Sequence, residues 1–383
     1  MINYGKQHLD KLDINAVVKS LRSNLITQGP YIKKFEADLS KKFGSKYCAV
    51  VSSGTAALHL LGLALKWKKN EIILTTPISF LATSNTILYS GATPEFVDID
   101  KDTYNLDPDL LLKRIIQLKK KGKKIVAVIC TDFAGQPCDW KKLRKIADKY
   151  KLILINDCCH AMGSKLDGNS KYAMKFADFV SLSFHPVKTI TSGEGGAILT
   201  NDKKVYEKIN VLKSHGIIKK NNFEPWFYQM QHLGFNYRIT DFQCALGSSQ
   251  LKKLNKFVKK RKSIASNYDK AFKNTKGIII PKIKKNDSSA YHLYPLLINF
   301  RKFRVSKKNF FVKLRNKKIN LQVHYIPIHL QPYYKNKLNL KKGDFPVAEN
   351  FYEKEVSLPV YYNLKNTEQN KVIFEIKKIL KVN

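Results

Sequence analysis

The sequence predicts an α/β protein with a large domain built on a mostly parallel sheet and a smaller C-terminal α/β domain. Six short apolar runs alternate with helix-like stretches in the first half: Cys48 to Ser53, Glu71 to Thr76, Ile125 to Cys130, Leu152 to Asp157, Phe179 to Phe184 and Gly196 to Asn201. Runs this short and apolar suit strands covered on both faces. The segment from Asp241 to Phe272 reads as one long helix bridging to a second layer. Beyond it, Tyr291 to Phe300 and Ile319 to Ile328 read as strands, separated by a basic helix over Ser306 to Lys317. The expected division is residues 1–245 for the large domain with its N-terminal segment and 246–383 for the small one.

Composition agrees with such a fold. A chain of 383 residues with 44% hydrophobic content can bury a large core. The N-terminal MINYGKQHLDKLD lacks an apolar core region, and no stretch approaches the roughly 18 uninterrupted apolar residues of a spanning helix. Neither export nor membrane insertion is expected, so the six cysteines are expected to be reduced thiols in the cytoplasm. They show no paired metal-ligand spacing, and no metal site is expected.

Taken in order, the first informative segment is Val50 to Leu65, a strand followed by a Ser-Ser-Gly-Thr turn and an Ala/Leu-rich helix pattern. A helix N-terminus presents unpaired N–H groups to a phosphate, and glycine allows close approach. An ordinary N-cap at Ser53 or Thr55 explains the same residues. Neither a Walker loop nor a dinucleotide fingerprint is present.

The second segment, Lys151 to Asp157, reads as a buried parallel strand ending in a carboxylate, the position where open α/β sheets carry functional groups. Asp157 suits a carboxylate beside a pyridine nitrogen, and equally an N-cap. The third is Ser181 to Gly196, SLSFHPVKTITSGEGG, where Lys188 follows a strand-like run and Pro186, ahead of a glycine cluster. A lysine that condenses with an aldehyde must be rigidly held and spend time unprotonated. In isolation, Lys188 reads first as a solvated surface charge, because lysine is mostly exposed.

Together these segments resemble the DegT/DnrJ/EryC1/StrS sugar aminotransferases, which have the fold of type I pyridoxal-phosphate enzymes. The resemblance also rests on Leu25 to Glu36, Thr75 to Asp100, Asn156 to Ser164, Lys213 to Ile217 and Gly234 to Gly247. It implies that Lys188 carries pyridoxal 5'-phosphate and later moves a proton between substrate and cofactor carbons. It also implies that Asp157 pairs with the ring nitrogen, that Gly54, Thr55 and Ser183 hold the phosphate, and that Phe80 stacks on the ring. His160 would lie near the ring oxygen, or be a satisfied structural group. Asn236 would reach the phosphate from a neighbouring subunit, making a homodimer the minimal active unit. Arg238 would contact substrate or stabilise its loop. Tyr4, Asn24, Leu25, Ile26, Thr27, Gln322, Val323, His324 and Tyr325 fall where relatives contact the nucleotide sugar.

The resemblance is closest to the subgroup that aminates C4 of a UDP-linked 4-keto-6-deoxy-N-acetylhexosamine on the route to pseudaminic acid. Thr75 to Phe80, Asp132 to Asp139, His292 to Leu297, Leu321 to His329 and Ser357 to Pro359 carry it. It implies two half-reactions, with L-glutamate giving its amino group to form pyridoxamine 5'-phosphate and the ketosugar then receiving it. Perosamine-type, bacillosamine-type and 3-amino-type transfers stay open as alternatives. Asn156 departs from the family, since many relatives have glutamate there, and Cys158 and Cys159 stand where small residues are usual.

A net charge of +39 raises a second reading, nonspecific binding of nucleic acid through phosphate neutralisation. The excess is mostly lysine, dispersed in pieces such as Lys119 to Lys124, with no motif for base readout. It reads chiefly as a solvated face that helps steer an anionic nucleotide sugar, with no specific nucleic-acid partner.

Overall fold

In the computed structural model, residues 1–218 and 224–382 are described. Helices α1 (Lys11–Leu21) and α2 (Pro30–Phe43) precede strand β1 (Tyr47–Val51). The chain continues through α3 (Gly54–Ala64), β2 (Glu71–Thr75), α4 (Leu81–Tyr89), β3 (Thr93–Phe96), α5 (Pro108–Lys120) and β4 (Lys124–Thr131). Then come α6 (Trp140–Tyr150), β5 (Ile153–Asp157), α7 (Tyr172–Phe176), β6 (Phe179–Ser183), β7 (Gly196–Thr200) and α8 (Lys203–Leu212).

The seven strands form one sheet in the order β1-β7-β6-β5-β4-β2-β3. All six expected runs are in it. Neighbours pair in parallel except β7, which runs antiparallel to both β1 and β6. The reason lies in the link between β6 and β7, which has no crossover helix. Phe184 N–H donates to Gly195 O at 2.8 Å and Ser192 N–H to Phe184 O at 3.0 Å, so the chain turns straight back. The edge strand β3 was not expected from the sequence, because Pro94 lacks an amide donor and reads as a break. An edge tolerates it.

Alternate residues of each strand serve opposite cores. Ala127 and Ile129 of β4 join one apolar cluster with Ala49, Val51 and Ile73, whereas Val128 and Cys130 join the other with Val50, Leu74 and Leu154. This two-sided burial explains why the strands look continuously apolar in sequence.

The expected single helix over 241–272 is two: α9 (Asp241–Lys252) and α10 (Leu254–Phe272). Lys253 separates them with φ −96° and ψ 0°, its N–H turning back to Gln250 O and Leu251 O. The bend lets α9 pack on α1 and α2 while α10 passes to the second core. Val258 still belongs to the first core, and Ile264 onward to the second.

The C-terminal sheet is antiparallel, with β8 (Ile278–Ile279), β9 (Tyr294–Ile298) and β10 (Glu355–Leu358) in that order. Helices α11 (Lys307–Asn316), α12 (Pro332–Leu338), α13 (Pro346–Lys354) and α14 (Asn366–Leu380) complete it. The expected strand over 319–328 is mostly irregular. Ile319–Asn320 pairs in parallel with Ile2–Asn3, and Gln322 makes one bridge to Ser357. Further on, the backbone leaves any ladder: His324 N–H donates to the Glu355 carboxylate and Ile328 N–H to Pro77 O.

The two parts meet at the carboxyl ends of the central strands. Ser164 Oγ donates to Gly135 O at 2.6 Å and accepts from Ala290 N–H at 2.9 Å. Gly135 is required here, because its φ is +95° and an added Cβ would stand 3.0 Å from the Tyr291 nitrogen. Beside it, the fully buried Asp132 carboxylate accepts from Cys138 N–H (2.8 Å), Trp140 Nε1–H (2.9 Å), Asn156 Nδ2–H (3.1 Å) and Tyr172 O–H (2.7 Å). Asn156, the departure from the family, is thereby accounted for as a donor to Asp132. Replacing Asp132 with alanine strands four buried donors and is expected to cost about 3 kcal/mol or more, read as a lowered urea midpoint of the cofactor-free protein.

Candidate active site

The carboxyl ends of β4, β5 and β6 are in register, with Thr131 paired to Asp157 and Asp157 paired to Ser181. Parallel pairing therefore brings Thr131 and Asp157, the last residues of β4 and β5, to the level of Ser181, two residues before the end of β6. A cavity of about 670 Å³ opens there. It is lined by Asp157, Lys188, His160, Gly54, Thr55, Ser183 and Phe80, and by Tyr4, Gln322, Val323, His324 and Tyr325 from the two chain ends.

Lys188 lies beyond β6, its N–H bonded to His185 O at 2.9 Å in a closed turn. Its amine is held below its ordinary pKa by burial, against the opposing pull of Cys159 and Asp157. A partly neutral amine at a rigid turn is what aldehyde chemistry requires. The surface-charge reading of this lysine is excluded.

Asp157 Oδ2 accepts from Thr83 Oγ1 at 2.8 Å, and Oδ1 from Cys159 N–H at 3.3 Å. No helix starts after it, so it is not an N-cap. Ser53 takes that role for α3, accepting from Ala56 N–H at 3.0 Å and leaving the N–H groups of Gly54 and Thr55 without an intrahelical partner. Ser183 sits directly against this end, since a Cβ at Gly54 would come within 2.8 Å of the Ser183 Cβ. The result is a cradle of amide N–H and hydroxyl donors suited to an anion. Phe80, 56% exposed, offers a free aromatic face across the cavity from this cradle's strand ends, its ring 6.0 Å from Tyr325.

Three imidazoles crowd the same cavity. His160 is buried, its Nε2 3.1 Å from Tyr325 Oη and its ring 4.3 Å from His292. His324 packs on Tyr4 at 5.1 Å. Burial, followed by the charge of Lys188, pushes the pKa of His160 well below its usual value and that of His324 to about 3. His292 is lowered in the same way, with burial first and His160 next. A cavity floor with four basic nitrogen groups thus holds its imidazoles neutral.

The remaining expected residues lie elsewhere. Asn24, Leu25, Ile26, Thr27, Asn236 and Arg238 do not line this cavity. Thr27 bridges to Thr240, Asp241 N–H donates to Ile26 O at 2.9 Å, and Asn236 bridges to Ser214. Leu25 and Ile26 are exposed there. Sequence reasoning missed Thr83 and His292. Thr83 is one turn from Phe80 on α4, and His292 opens the quoted segment His292 to Leu297, so both signals were present. Cys159 also lines the cavity, while Cys158 is buried behind it; all six cysteines are free.

The donor cradle, the buried carboxylate and the lysine with its lowered pKa together fit a phosphate-bearing pyridine aldehyde. Residues 7–377 match the DegT/DnrJ/EryC1/StrS aminotransferase family. The chain is 40% identical over 372 residues to UDP-4-amino-4,6-dideoxy-N-acetyl-beta-L-altrosamine transaminase of Campylobacter jejuni, covering 96% of this chain and 95% of that protein. It is similar in structure to Helicobacter pylori PseC, an aminotransferase involved in the biosynthesis of pseudoaminic acid, with TM-score 0.90, 35% identity and 99% of each chain covered. A putative sugar aminotransferase of Streptococcus pneumoniae, in its PMP form, matches with TM-score 0.90 and 28% identity over 100% of this chain and 99% of that one.

The neutral imidazoles carry a consequence for stability. A histidine whose folded pKa is depressed costs stability as pH falls below its unfolded value near 6.5, by up to about 1.4 kcal/mol per pH unit for each residue. The urea midpoint of the cofactor-free protein should therefore fall between pH 6.5 and 5.5. Replacing His160 with glutamine should shallow that slope.

Proposed function

The chain belongs to the DegT/DnrJ/EryC1/StrS aminotransferase family and is a pyridoxal-phosphate-dependent nucleotide-sugar aminotransferase; from that premise we propose that it transfers the amino group of L-glutamate to C4 of a UDP-linked 4-keto-6-deoxy-N-acetylhexosamine. The sugar is taken to be UDP-2-acetamido-2,6-dideoxy-beta-L-arabino-hex-4-ulose, in the pathway to pseudaminic acid. The observation that carries the catalytic part is the buried, low-pKa Lys188 amine in one cavity with Asp157. Support for the sugar comes from relatives named for that transamination in Campylobacter jejuni and, at 38% identity, Helicobacter pylori. GDP-perosamine synthase of Escherichia coli is also similar, at 30% identity, and keeps the perosamine reading as the runner-up.

In this reading the bound cofactor supplies an electron sink at the carbon carrying the transferred nitrogen. Lys188 would anchor it and, once released, its neutral amine would take and return the proton at that carbon in both half-reactions. Asp157, which accepts from Thr83, would hold the ring nitrogen. Gly54, Thr55 and Ser183 would bind the phosphate, and Phe80 would stack on the ring. His160, its Nε2 within hydrogen-bond distance of Tyr325 Oη, would lie near the ring oxygen. Tyr4 and residues 322–325 would contact the sugar. Asn236 does not line the cavity of its own chain, which supports a homodimer in which Asn236 of the partner subunit completes the phosphate site.

Replacing Lys188 with alanine should abolish the visible absorption that develops on adding cofactor and lower turnover by more than about a thousandfold. An unchanged spectrum would end the assignment of Lys188. Offered UDP-, GDP- and dTDP-linked 4-ketosugars with glutamate, the enzyme should form only the UDP-linked amino sugar, identified by NMR. Amination of only the GDP sugar would establish the perosamine reading instead. Mixing the inactive K188A protein with an Asn236→Asp protein should restore about a quarter of wild-type activity if the sites are shared across a dimer.

A further inference from the structure

Glu355 and Ser357 stand two residues apart in β10, so strand alternation turns both onto one face. Each is buried. Ser357 Oγ donates to Glu355 Oε1 at 2.6 Å and lies 2.8 Å from His324 Nδ1, while Glu355 Oε2 accepts from His324 N–H at 2.9 Å. His324 lines the cavity, and among the described residues its Nε2 has no hydrogen-bond partner.

Counting protons decides what this chain of bonds presents to the cavity. A serine hydroxyl has one proton, and an ionised carboxylate can only accept. Ser357 therefore spends its proton on Glu355, and its oxygen accepts from Nδ1–H of His324. A neutral imidazole carries a single N–H, so Nε2 is left as a bare lone pair. We propose that Glu355 is a positioning residue that, through Ser357, fixes the tautomer of His324 so that Nε2 accepts a hydrogen bond from a hydroxyl or amide N–H of the sugar substrate. This rests on the nucleotide-sugar reading for the identity of the ligand, but the tautomer itself does not.

The arrangement is reversible. Burial raises the carboxyl of Glu355 to about 7, opposed by Ser357, by Lys307 from α11 and by the backbone N–H of His324. Lys307, lowered by burial to about 8, also feels Glu353 and donates to Tyr352 O. The phenols of Tyr104 and Tyr325 face the same carboxylate and are pushed up partly by it. When Glu355 gains a proton it donates to Ser357, Ser357 donates to Nδ1, and Nε2 becomes an N–H donor. Acceptor and donor exchange below about pH 7.

Glu355→Gln should impose that inverted state at every pH. The backbone N–H of His324 claims the amide oxygen, which turns the NH₂ group toward Ser357. Nitrogen-15 NMR of histidine-labelled, cofactor-free protein should show His324 as the Nδ1–H tautomer at pH 8 in the wild type and the Nε2–H tautomer in E355Q. KM for the sugar should rise about tenfold in E355Q, more than kcat changes, and its rise below pH 7 should disappear. Should E355Q fail to fold, the wild-type pH titration of the His324 signals tests the same inversion. A wild-type Nε2–H tautomer at pH 8, or a tautomer indifferent to pH and to E355Q, would overturn the relay. A tautomer that switches while the sugar KM stays fixed would overturn the recognition role. Failure of the wild type to aminate any nucleotide sugar would sink the functional reading and leave the tautomer result to stand alone.

Discussion

The parallel register of β4, β5 and β6 is the constraint on which the rest of this molecule depends. Because Thr131, Asp157 and Ser181 are paired across neighbouring strands, β4 and β5 leave the sheet at one height and β6 runs only two residues further, to Ser183. The carboxylate, the lysine turn and the imidazole after β5 then share a single cavity. Packing of both faces makes this register specific, since a one-residue slip would exchange Ala127 and Ile129 with Val128 and Cys130 and misfit both cores.

The polar groups at that level are arranged so that few of them are charged. Burial lowers the pKa of Lys188, and each imidazole is kept neutral first by burial and then by neighbouring positive charge, Lys188 for His160 and His324 and His160 ahead of Lys188 for His292. Asp157 is held in place by two donors, Thr83 and the Cys159 amide.

The C-terminal part contributes by its irregularity. Where the sequence reads as a strand over 319–328, the backbone instead spends its hydrogen bonds on Glu355 and Pro77. That frees His324 and Tyr325 to enter the cavity. Behind them, β10 is regular, and its alternation turns Glu355 and Ser357 toward the same imidazole. A disordered ladder in front and an ordered one behind are both needed for the relay.

The fold class, the six main strands and the cluster of Lys188, Asp157 and Ser183 were legible in the sequence, because apolar runs, strand ends and turn residues are local signals. The edge strand through Pro94, the break at Lys253 and the reversed direction of β7 were not, since each follows from packing or chain return. The residues of the second kind at the site were hidden for the same reason. Thr83 and His292 lie in segments the sequence marked, but their partners Asp157 and His160 are distant in the chain, as is His324, the residue Glu355 reaches. For Asn24 to Thr27, flagged from the sequence, only the structure shows that Ile26 and Thr27 meet Asp241 and Thr240. Sequence determined which chemistry was available, and tertiary structure decided which groups meet, because burial and proton sharing are properties of neighbours in space.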